Sequence, residues 1–257
     1  MYLSEKNKVY YEVINKYAKK DFLIFIHGLG SNSTEWKGIM DLLKKEGYPV
    51  MSVDLRGHGK SQLFNSYRLE DFASDINKIL EKERIKKKVI LIGHSMGGMV
   101  SLIFFKHFKK SVHKLILINT TYKNIGKTSP LRVFLPLTKI VLKHWNNTKG
   151  SIDFSNFKNK PAGYTFVKTA IQNNTKVLLE CINNMIDYDA SKIIKEINIP
   201  VLIIASRYDK VFTLKTQRYM HRNIKNSTLK ILDGTHLIII KTPNLISKEI
   251  LDFIIKK

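Results

Sequence analysis

The sequence predicts a doubly wound α/β fold, in which helices cover both faces of a mostly parallel β-sheet. Short apolar runs alternate along the chain with stretches of helical length and spacing, as expected for strands joined by right-handed helical crossovers. Most of these runs are continuously apolar, which is typical of strands buried on both faces. With 257 residues, 44% hydrophobic and 25% charged, the chain is long enough for one such domain with an insertion.

Six apolar runs are too short for helices and are predicted to be strands. They are Phe22–Ile26, Val50–Val53, Val89–Ile92, Leu115–Ile118, Val201–Ile204 and Leu229–Leu232. Five intervening or following stretches have helical length, and several of them carry apolar residues at helical spacing. They are Asn32–Glu46, Leu69–Arg84, Met96–Phe108, Leu214–Ile224 and Asn244–Ile255.

The alternation of strands and helices breaks between residues 122 and 190. No clear strand occurs there, and the stretches Leu137–Trp145 and Thr175–Ile186 look helical. We therefore expect an α/β core formed by residues 1–121 and 191–257 and a helical cap formed by residues 122–190. A long disordered loop is the alternative, and the Trp, Phe, Ile and Leu content of the segment disfavours it.

The net charge is strongly positive, since 44 Lys and Arg face 21 Asp and Glu for a formal charge of +23. Such a surface attracts anions. Of the basic residues, however, 37 are Lys and 7 are Arg, and no block is longer than Lys86–Lys88. Dispersed lysines favour a solvated surface over a nucleic-acid partner, and a weak contact with anionic membranes stays open.

The cellular setting follows from the cysteine count and the apolar runs. A single cysteine, Cys181, excludes a disulfide framework and a Cys-rich zinc site. No run approaches the roughly 18 apolar residues that cross a bilayer, and the first residues lack the apolar region of a signal peptide. We expect a cytoplasmic location. The oligomeric state is not predicted.

The strongest motif is Gly93-His94-Ser95-Met96-Gly97-Gly98, which matches G-x-S-x-G between a predicted strand and a predicted helix. The turn at such a site is so sharp that side chains at positions 93 and 97 would collide. It lifts the Ser95 hydroxyl clear of the sheet and places it at a helix N-terminus, where N–H groups stabilise negative charge. Ser95 is therefore predicted to be a nucleophile, with a passive serine in a Gly-rich turn as the alternative.

A serine hydroxyl needs a base, and the base needs a carboxylate. Of the eight histidines, His236 follows the last predicted strand, at the sheet edge where this architecture places its ligands. Asp209 follows the preceding strand at the same edge, so the chain order is Ser95, Asp209, His236. The competing carboxylates are Asp187, Asp189 and Asp233.

The tetrahedral intermediate of such a reaction needs two N–H donors. One is predicted to be the backbone N–H of Met96, directly after the nucleophile. The other is predicted to be the backbone N–H of Leu29, in the loop His27-Gly28-Leu29-Gly30 after the first core strand. A phosphate-binding turn is the weaker alternative, because the loop lacks both nucleotide-binding glycine patterns.

Together with the segment Asp54–Ser61, these motifs give a resemblance that covers essentially the whole chain outside residues 122–190. The sequence resembles the α/β-hydrolase superfamily, in particular its small capped serine esterases and lipases. The resemblance implies acyl transfer to Ser95 followed by hydrolysis, without a metal or an organic cofactor. It also implies that Arg56 and His58 belong to a structural loop. Similar enzymes often carry Gly at position 206 and Pro at 210 or 211, where this chain has Ser206, Lys210 and Val211.

The expected substrate is a small carboxylic ester with a short to medium acyl chain. Leu135, Ile140 and Trp145 are candidates for the lining of an acyl pocket, and packing of the cap onto the core is their alternative role. Other expectations for the same motifs are a monoacylglycerol or lysophospholipid lipase, a cofactor-free haloperoxidase and a carbon–carbon bond hydrolase. A non-catalytic ligand-binding protein is a more distant alternative. A serine at the elbow argues against the branches with an aspartate nucleophile.

Overall fold

The structure, a computed structural model, describes residues 1–123 and 174–256. In these ranges seven strands form one sheet, in the order β1-β3-β2-β4-β5-β6-β7. They are β1 (Tyr11–Ile14), β2 (Phe22–Ile26), β3 (Val50–Val53), β4 (Val89–His94), β5 (Val112–Ile118), β6 (Val201–Ser206) and β7 (Ser227–Leu232). All neighbouring strands are parallel except β1 and β3, which are antiparallel.

Helices pack on both faces of this sheet. The described α-helices are α1 (Lys37–Lys45), α2 (Leu69–Lys82), α3 (Met96–Phe108), α4 (Thr175–Ile186), α5 (Ser191–Glu196), α6 (Leu214–Asn223), α7 (Ile238–Lys241) and α8 (Pro243–Ile255). Buried residues of α2 and α3 belong to the core on one face, and those of α1 and α8 to the core on the other. In the described ranges no helix has the length and apolarity needed to cross a membrane.

The central strands β2, β4, β5 and β6 are largely apolar because each one contributes to both cores. In β2, Phe22, Ile24 and Ile26 belong to the core under α2 and α3, whereas Leu23 and Phe25 belong to the core under α1 and α8. All five side chains are fully buried. Burial of one such side chain contributes about 1.5–3 kcal/mol, so the central strands supply much of the stability of the domain.

The predicted doubly wound α/β architecture is confirmed, and each of the six predicted strands is present with its bounds kept or extended by a few residues. Strand β1 was not predicted. It is a four-residue edge strand with partly exposed residues. Its sequence shows no apolar run, and its extended backbone is held by antiparallel pairing with β3. The predicted helix at 32–46 is divided into a 3-10 turn, Ser33–Trp36, and helix α1.

The two ends of the segment 122–190 meet at the edge of the core. Lys123 pairs with Asp189 in an isolated β-bridge, and the backbone N–H of Ala190 donates to the carbonyl of Tyr122 at 2.7 Å. Helix α4, predicted from the sequence, packs its buried residues into the core under α2 and α3. The candidate pocket residues Leu135, Ile140 and Trp145 lie outside the described residues, and the helical cap stays a prediction.

The strand order determines where the loops converge. The chain proceeds from β2 to β3 on one side and from β4 to β5 on the other. The direction of winding therefore reverses between β2 and β4, and in open α/β sheets ligands bind at the carboxyl edge beside such a reversal. Because Ile26 pairs with Gly93, the loops that follow these two strands begin side by side.

A buried lysine connects the central sheet to the last described helix. Lys114, on β5, is 5% exposed, and its Nζ donates to the carbonyls of Ile254 at 3.1 Å and Lys256 at 2.8 Å. The last carbonyls of a helix have no partner within the helix and form the negative end of its dipole. Burial lowers the pKa of Lys114, but its ammonium group is placed where positive charge is stabilising.

We expect Lys114→Met to lower the free energy of unfolding by about 1–3 kcal/mol, because the end of α8 loses its charged donor. Urea unfolding followed by circular dichroism measures the change. Lys106→Met, at an exposed position on α3, is the matched control and is expected to stay within about 0.5 kcal/mol of the wild type. Equal stabilities of the two variants would contradict the role of Lys114.

Candidate active site

The turn between β4 and α3 holds Ser95 in a strained conformation. Its φ is +54° and its ψ is −120°, a region that side-chain-bearing residues rarely adopt and that costs about 1–3 kcal/mol. Two hydrogen bonds from the end of β5 oppose the strain. The Ser95 N–H donates to the Ile118 carbonyl at 3.0 Å, and the Thr120 hydroxyl donates to the Ser95 carbonyl at 2.6 Å.

Two glycines make this turn possible, for different reasons. A Cβ on Gly93 would lie 2.4 Å from the carbonyl oxygen of Gly97, so the turn itself excludes a side chain there. A Cβ on Gly97 would lie 2.1 Å from the carbonyl oxygen of Ile26. The sequence predicted a collision between positions 93 and 97. The structure shows that position 97 must also be bare because α3 begins directly against the end of β2.

The side chains of Ser95, His236 and Asp209 form one chain of hydrogen bonds. His236 lies in the loop between β7 and α7, with its Nε2 2.9 Å from Ser95 Oγ and its Nδ1 2.9 Å from Asp209 Oδ2. A carboxylate accepts hydrogen bonds, so Nδ1 carries the proton of the neutral ring. Nε2 is then free to accept the proton of the serine hydroxyl, as a general base requires.

Backbone donors orient the carboxylate of Asp209. It follows β6, its side chain is 0% exposed, and its Oδ1 accepts the N–H groups of Val211 at 2.7 Å and Phe212 at 3.0 Å. Both carboxylate oxygens are therefore occupied, and the orientation of Oδ2 towards His236 is determined by the turn that follows the strand.

Burial lowers the pKa of His236, and the hydrogen bond and charge of Asp209 oppose this effect without cancelling it, so the pKa lies below its ordinary value. The imidazole is consequently neutral at pH 7 in the free protein. A neutral ring at this position can remove a proton from Ser95.

The competing carboxylates are engaged elsewhere. Asp233 is paired with Arg207 at 2.7 Å on the surface, and Asp189 accepts the N–H of Ser191 at 2.7 Å. Asp187 occupies the C-cap position of α4. Within the part of the chain that the structure describes, Asp209 is the carboxylate that contacts His236.

The two predicted oxyanion donors flank the serine. Met96 is the first residue of α3, where an N–H has no partner within the helix. Gly28 packs against the serine, since a Cβ on it would lie 3.2 Å from Ser95 Cβ. The Gly28 N–H donates to Glu35 Oε1 at 3.1 Å. Within residues 1–123 and 174–256, the N–H groups of Leu29 and Met96 have no acceptor.

Sequence analysis missed a buried asparagine that joins three loops of the site. Asn119, with a φ of +44°, directly follows β5 and is fully buried. Its Oδ1 accepts the Ser206 N–H at 2.7 Å, and its Nδ2 donates to the carbonyls of Thr235 at 3.2 Å and His236 at 3.1 Å. The available signal was a polar residue at the end of an apolar strand, at the predicted ligand edge.

Glu35 and His94 were also missed as a pair. Glu35 lies in the 3-10 turn before α1, and its Oε1 is 3.5 Å from Nδ1 of His94, the residue before the serine. His94 Nε2 is in turn 2.9 Å from the carbonyl oxygen of His236. No spacing in the sequence indicates this pairing, because the two residues meet only when β2 and β4 lie side by side.

Comparisons with known proteins place these observations in a family. The chain is 26% identical over 245 residues to protein ABHD8 of Bos taurus, covering 91% of this chain, and it spans only 56% of the length of that protein. It is 25% identical over 236 residues to 3-oxoadipate enol-lactonase 2 of Acinetobacter baylyi, covering 88% of this chain and 85% of the relative.

A solved structure supports the same architecture. The esterase EaEST of Exiguobacterium antarcticum superposes with a TM-score of 0.80 at 21% identity, covering 97% of this chain and 96% of that one. The profile of the α/β hydrolase fold family matches residues 21–243, which include the serine turn, Asp209 and His236. With seven strands in the observed order and a profile that spans most of its length, the chain belongs to the α/β-hydrolase fold family.

Proposed function

We propose that the protein is a serine hydrolase that cleaves carboxylic esters with short to medium acyl chains through an acyl-enzyme on Ser95. The observation that carries the proposal is the hydrogen-bond chain from Ser95 through His236 to Asp209, with 2.9 Å at each step. A hydroxyl, a neutral imidazole and a buried carboxylate in this order form the arrangement that activates a serine.

The first half of the reaction forms the acyl-enzyme. As Ser95 Oγ attacks the carbonyl carbon of the ester, His236 Nε2 takes the hydroxyl proton, and the carbonyl oxygen becomes an oxyanion. Asp209 stabilises the imidazolium that results. The N–H groups of Leu29 and Met96 stabilise the oxyanion, together with the positive end of the α3 dipole.

The collapse of this intermediate completes the acyl-enzyme, and water then restores the serine. The tetrahedral intermediate collapses, the bond to the alcohol oxygen breaks, and His236 transfers its proton to that oxygen. A water molecule then attacks the acyl carbon of the ester on Ser95, and His236 takes a proton from the water. The second tetrahedral intermediate collapses, the bond between the acyl carbon and Ser95 Oγ breaks, His236 returns the proton to Oγ, and the carboxylic acid leaves. The chain's own residues account for every proton in this cycle.

Lactone hydrolysis is a second candidate within the same chemistry, because a lactone is a cyclic ester. It is favoured by the likeness to 3-oxoadipate enol-lactonase 2, which covers most of both chains. An open-chain ester releases its alcohol after acylation, whereas a lactone keeps the alcohol attached to the acyl-enzyme. A substrate panel with both kinds of ester therefore distinguishes the two candidates.

Ser95→Ala is expected to lower kcat for ester hydrolysis by roughly 10⁴-fold or more, because the nucleophile is lost. The measurement is a series of chromogenic acyl esters from acetate to decanoate. A fluorophosphonate probe tests the nucleophile independently, and intact-mass spectrometry should detect one adduct on the wild type and none on the variant.

The matched control is Ser101→Ala, which removes a buried serine from α3, the helix that begins after Ser95. This variant should still acquire the phosphonate and hydrolyse the esters. Wild-type turnover by Ser95→Ala would exclude the proposed mechanism, and labelling without ester turnover would point to another reaction of the same serine.

Asp209→Asn is expected to lower kcat by roughly 10³–10⁴-fold, since an amide does not stabilise the imidazolium and favours the wrong tautomer of His236. Asp233→Asn is the control, because Asp233 is an exposed partner of Arg207. It should keep kcat within about 2-fold. If Asp233→Asn proved the more damaging change, the assignment of the acid would be wrong.

The pH dependence of kcat/KM follows from the pKa of His236. The base must be neutral, and its pKa is lowered from the ordinary 6.5, so activity should persist as the pH falls and reach half of its plateau below 6.5. Rates from about pH 4.5 to 8.5, with the fold checked by circular dichroism, measure this limb. A midpoint above the ordinary value would contradict the expected burial effect.

A further inference from the structure

We propose that Glu35 and His94 form a buried ion pair whose imidazolium positions His236 and whose carboxylate positions the Gly28–Leu29 loop. Both are positioning residues, because neither contacts the reacting atoms. Their catalytic importance depends on the proposed function, whereas the ionic state of the pair does not.

His94 holds the backbone of the base. Its Nε2 is 2.9 Å from the carbonyl oxygen of His236, and since a carbonyl only accepts, Nε2 carries a proton. The rings of the two histidines lie 5.0 Å apart, tilted by 41°. The position of the His236 ring is thus determined by a bond to its own main chain and by a second ring beside it.

Glu35 supplies the charge that keeps His94 protonated. The two side chains are 2% and 3% exposed, and Glu35 Oε1 is 3.5 Å from His94 Nδ1. In the described ranges no lysine or arginine forms a salt bridge with Glu35. A buried carboxylate without a cation is costly, so the neighbouring imidazole is favoured in its charged form.

Two opposing influences act on the ring of His94. Burial alone would lower the pKa of His94, but the Glu35 carboxylate, 3.5 Å from Nδ1, opposes it, and the pKa lies above its ordinary value. The bond to the His236 carbonyl and the charge of Asp209 act in the same direction. With Nε2 bonded to a carbonyl and Nδ1 facing a carboxylate, each ring nitrogen of His94 has an acceptor beside it for a proton.

The same carboxylate controls the oxyanion loop. Glu35 Oε1 accepts the N–H of Gly28, the residue before the proposed donor Leu29. The buried pair thus contacts the Gly28–Leu29 loop and the loop that holds His236. His94 also directly precedes Ser95 in the chain. A structural pair elsewhere in the core would not touch all three parts of the site.

The charge of the pair also acts on the base. The charged groups that face His236 in the described structure are Asp209 from the loop after β6, His94 from β4 and Glu35 from the 3-10 turn. The positive charge of His94 lowers the pKa of His236 more than the negative charge of Glu35 raises it. Loss of the pair's charges should therefore raise the pKa of His236.

Glu35→Gln is the variant that isolates the charge, since the amide oxygen can still accept the Gly28 N–H. We expect kcat to fall by about 10- to 100-fold with KM within about 3-fold, because the site is misplaced but substrate contacts are kept. The fall of kcat/KM at acidic pH, the acidic limb, should move to higher pH, because His94 loses its charge and the pKa of His236 rises. A merely structural role would leave that limb unchanged.

Ring-nitrogen NMR of ¹⁵N-histidine-labelled protein tests the pair without turnover. In the wild type, His94 should show two protonated ring nitrogens at about pH 7.5, and in Glu35→Gln it should be neutral. His94→Gln assigns the resonance and serves as the second variant if Glu35→Gln does not fold. It should also raise the midpoint of the His236 titration.

Asp75→Asn is the matched control, because it disrupts another buried pair, Arg56–Asp75 at 2.7 Å. It should lower stability and leave the acidic limb in place. A neutral His94 in the wild type at about pH 7.5, or an unmoved His236 midpoint in both site variants, would overturn the proposal. If the wild type hydrolyses no ester, the proposed function fails, and the NMR titration still decides the pair.

Discussion

The strained turn at Ser95 is the constraint on which the rest of the site depends. A φ of +54° persists because the surrounding backbone leaves no alternative: the serine N–H and carbonyl are both bonded to the end of β5, and α3 begins against the carbonyl of Ile26. Strain of this kind is stored where the scaffold is rigid enough to impose it. The two-sided burial of the central strands provides that rigidity, so the strained conformation of Ser95 depends on the packing of the core.

The same sheet edge collects groups that are distant in the chain. The loops after β2, β4, β6 and β7 carry Leu29, Ser95, Asp209 and His236, and each begins where a parallel strand ends. Asn119 connects the ends of β5 and β6 with the loop that holds His236. The loops of the site are therefore held together largely by hydrogen bonds to main-chain groups.

The sequence was sufficient for the architecture and for the convergence of Ser95, Asp209 and His236, because each is marked by a local signal: an apolar run, a glycine-bounded turn, or a polar residue after a strand. It was insufficient for Glu35 and Asn119, since the function of a buried polar group depends on partners that only the fold brings near. Strand β1 was missed because a short edge strand is regular only when paired. The lining of the substrate pocket was predicted on residues 135–145, outside the described structure, and remains a prediction.

The connection between Thr120 and Ser95 has a mechanical consequence. The Thr120 hydroxyl holds the serine carbonyl, and its own carbonyl accepts the side-chain amide of Gln217. Two residues later the ring of Tyr122 stacks on Tyr219 at 4.5 Å, where the segment 122–190 leaves the core. A displacement of the chain at Tyr122 would therefore act on the strained turn at Ser95 through two peptide units and one hydrogen bond.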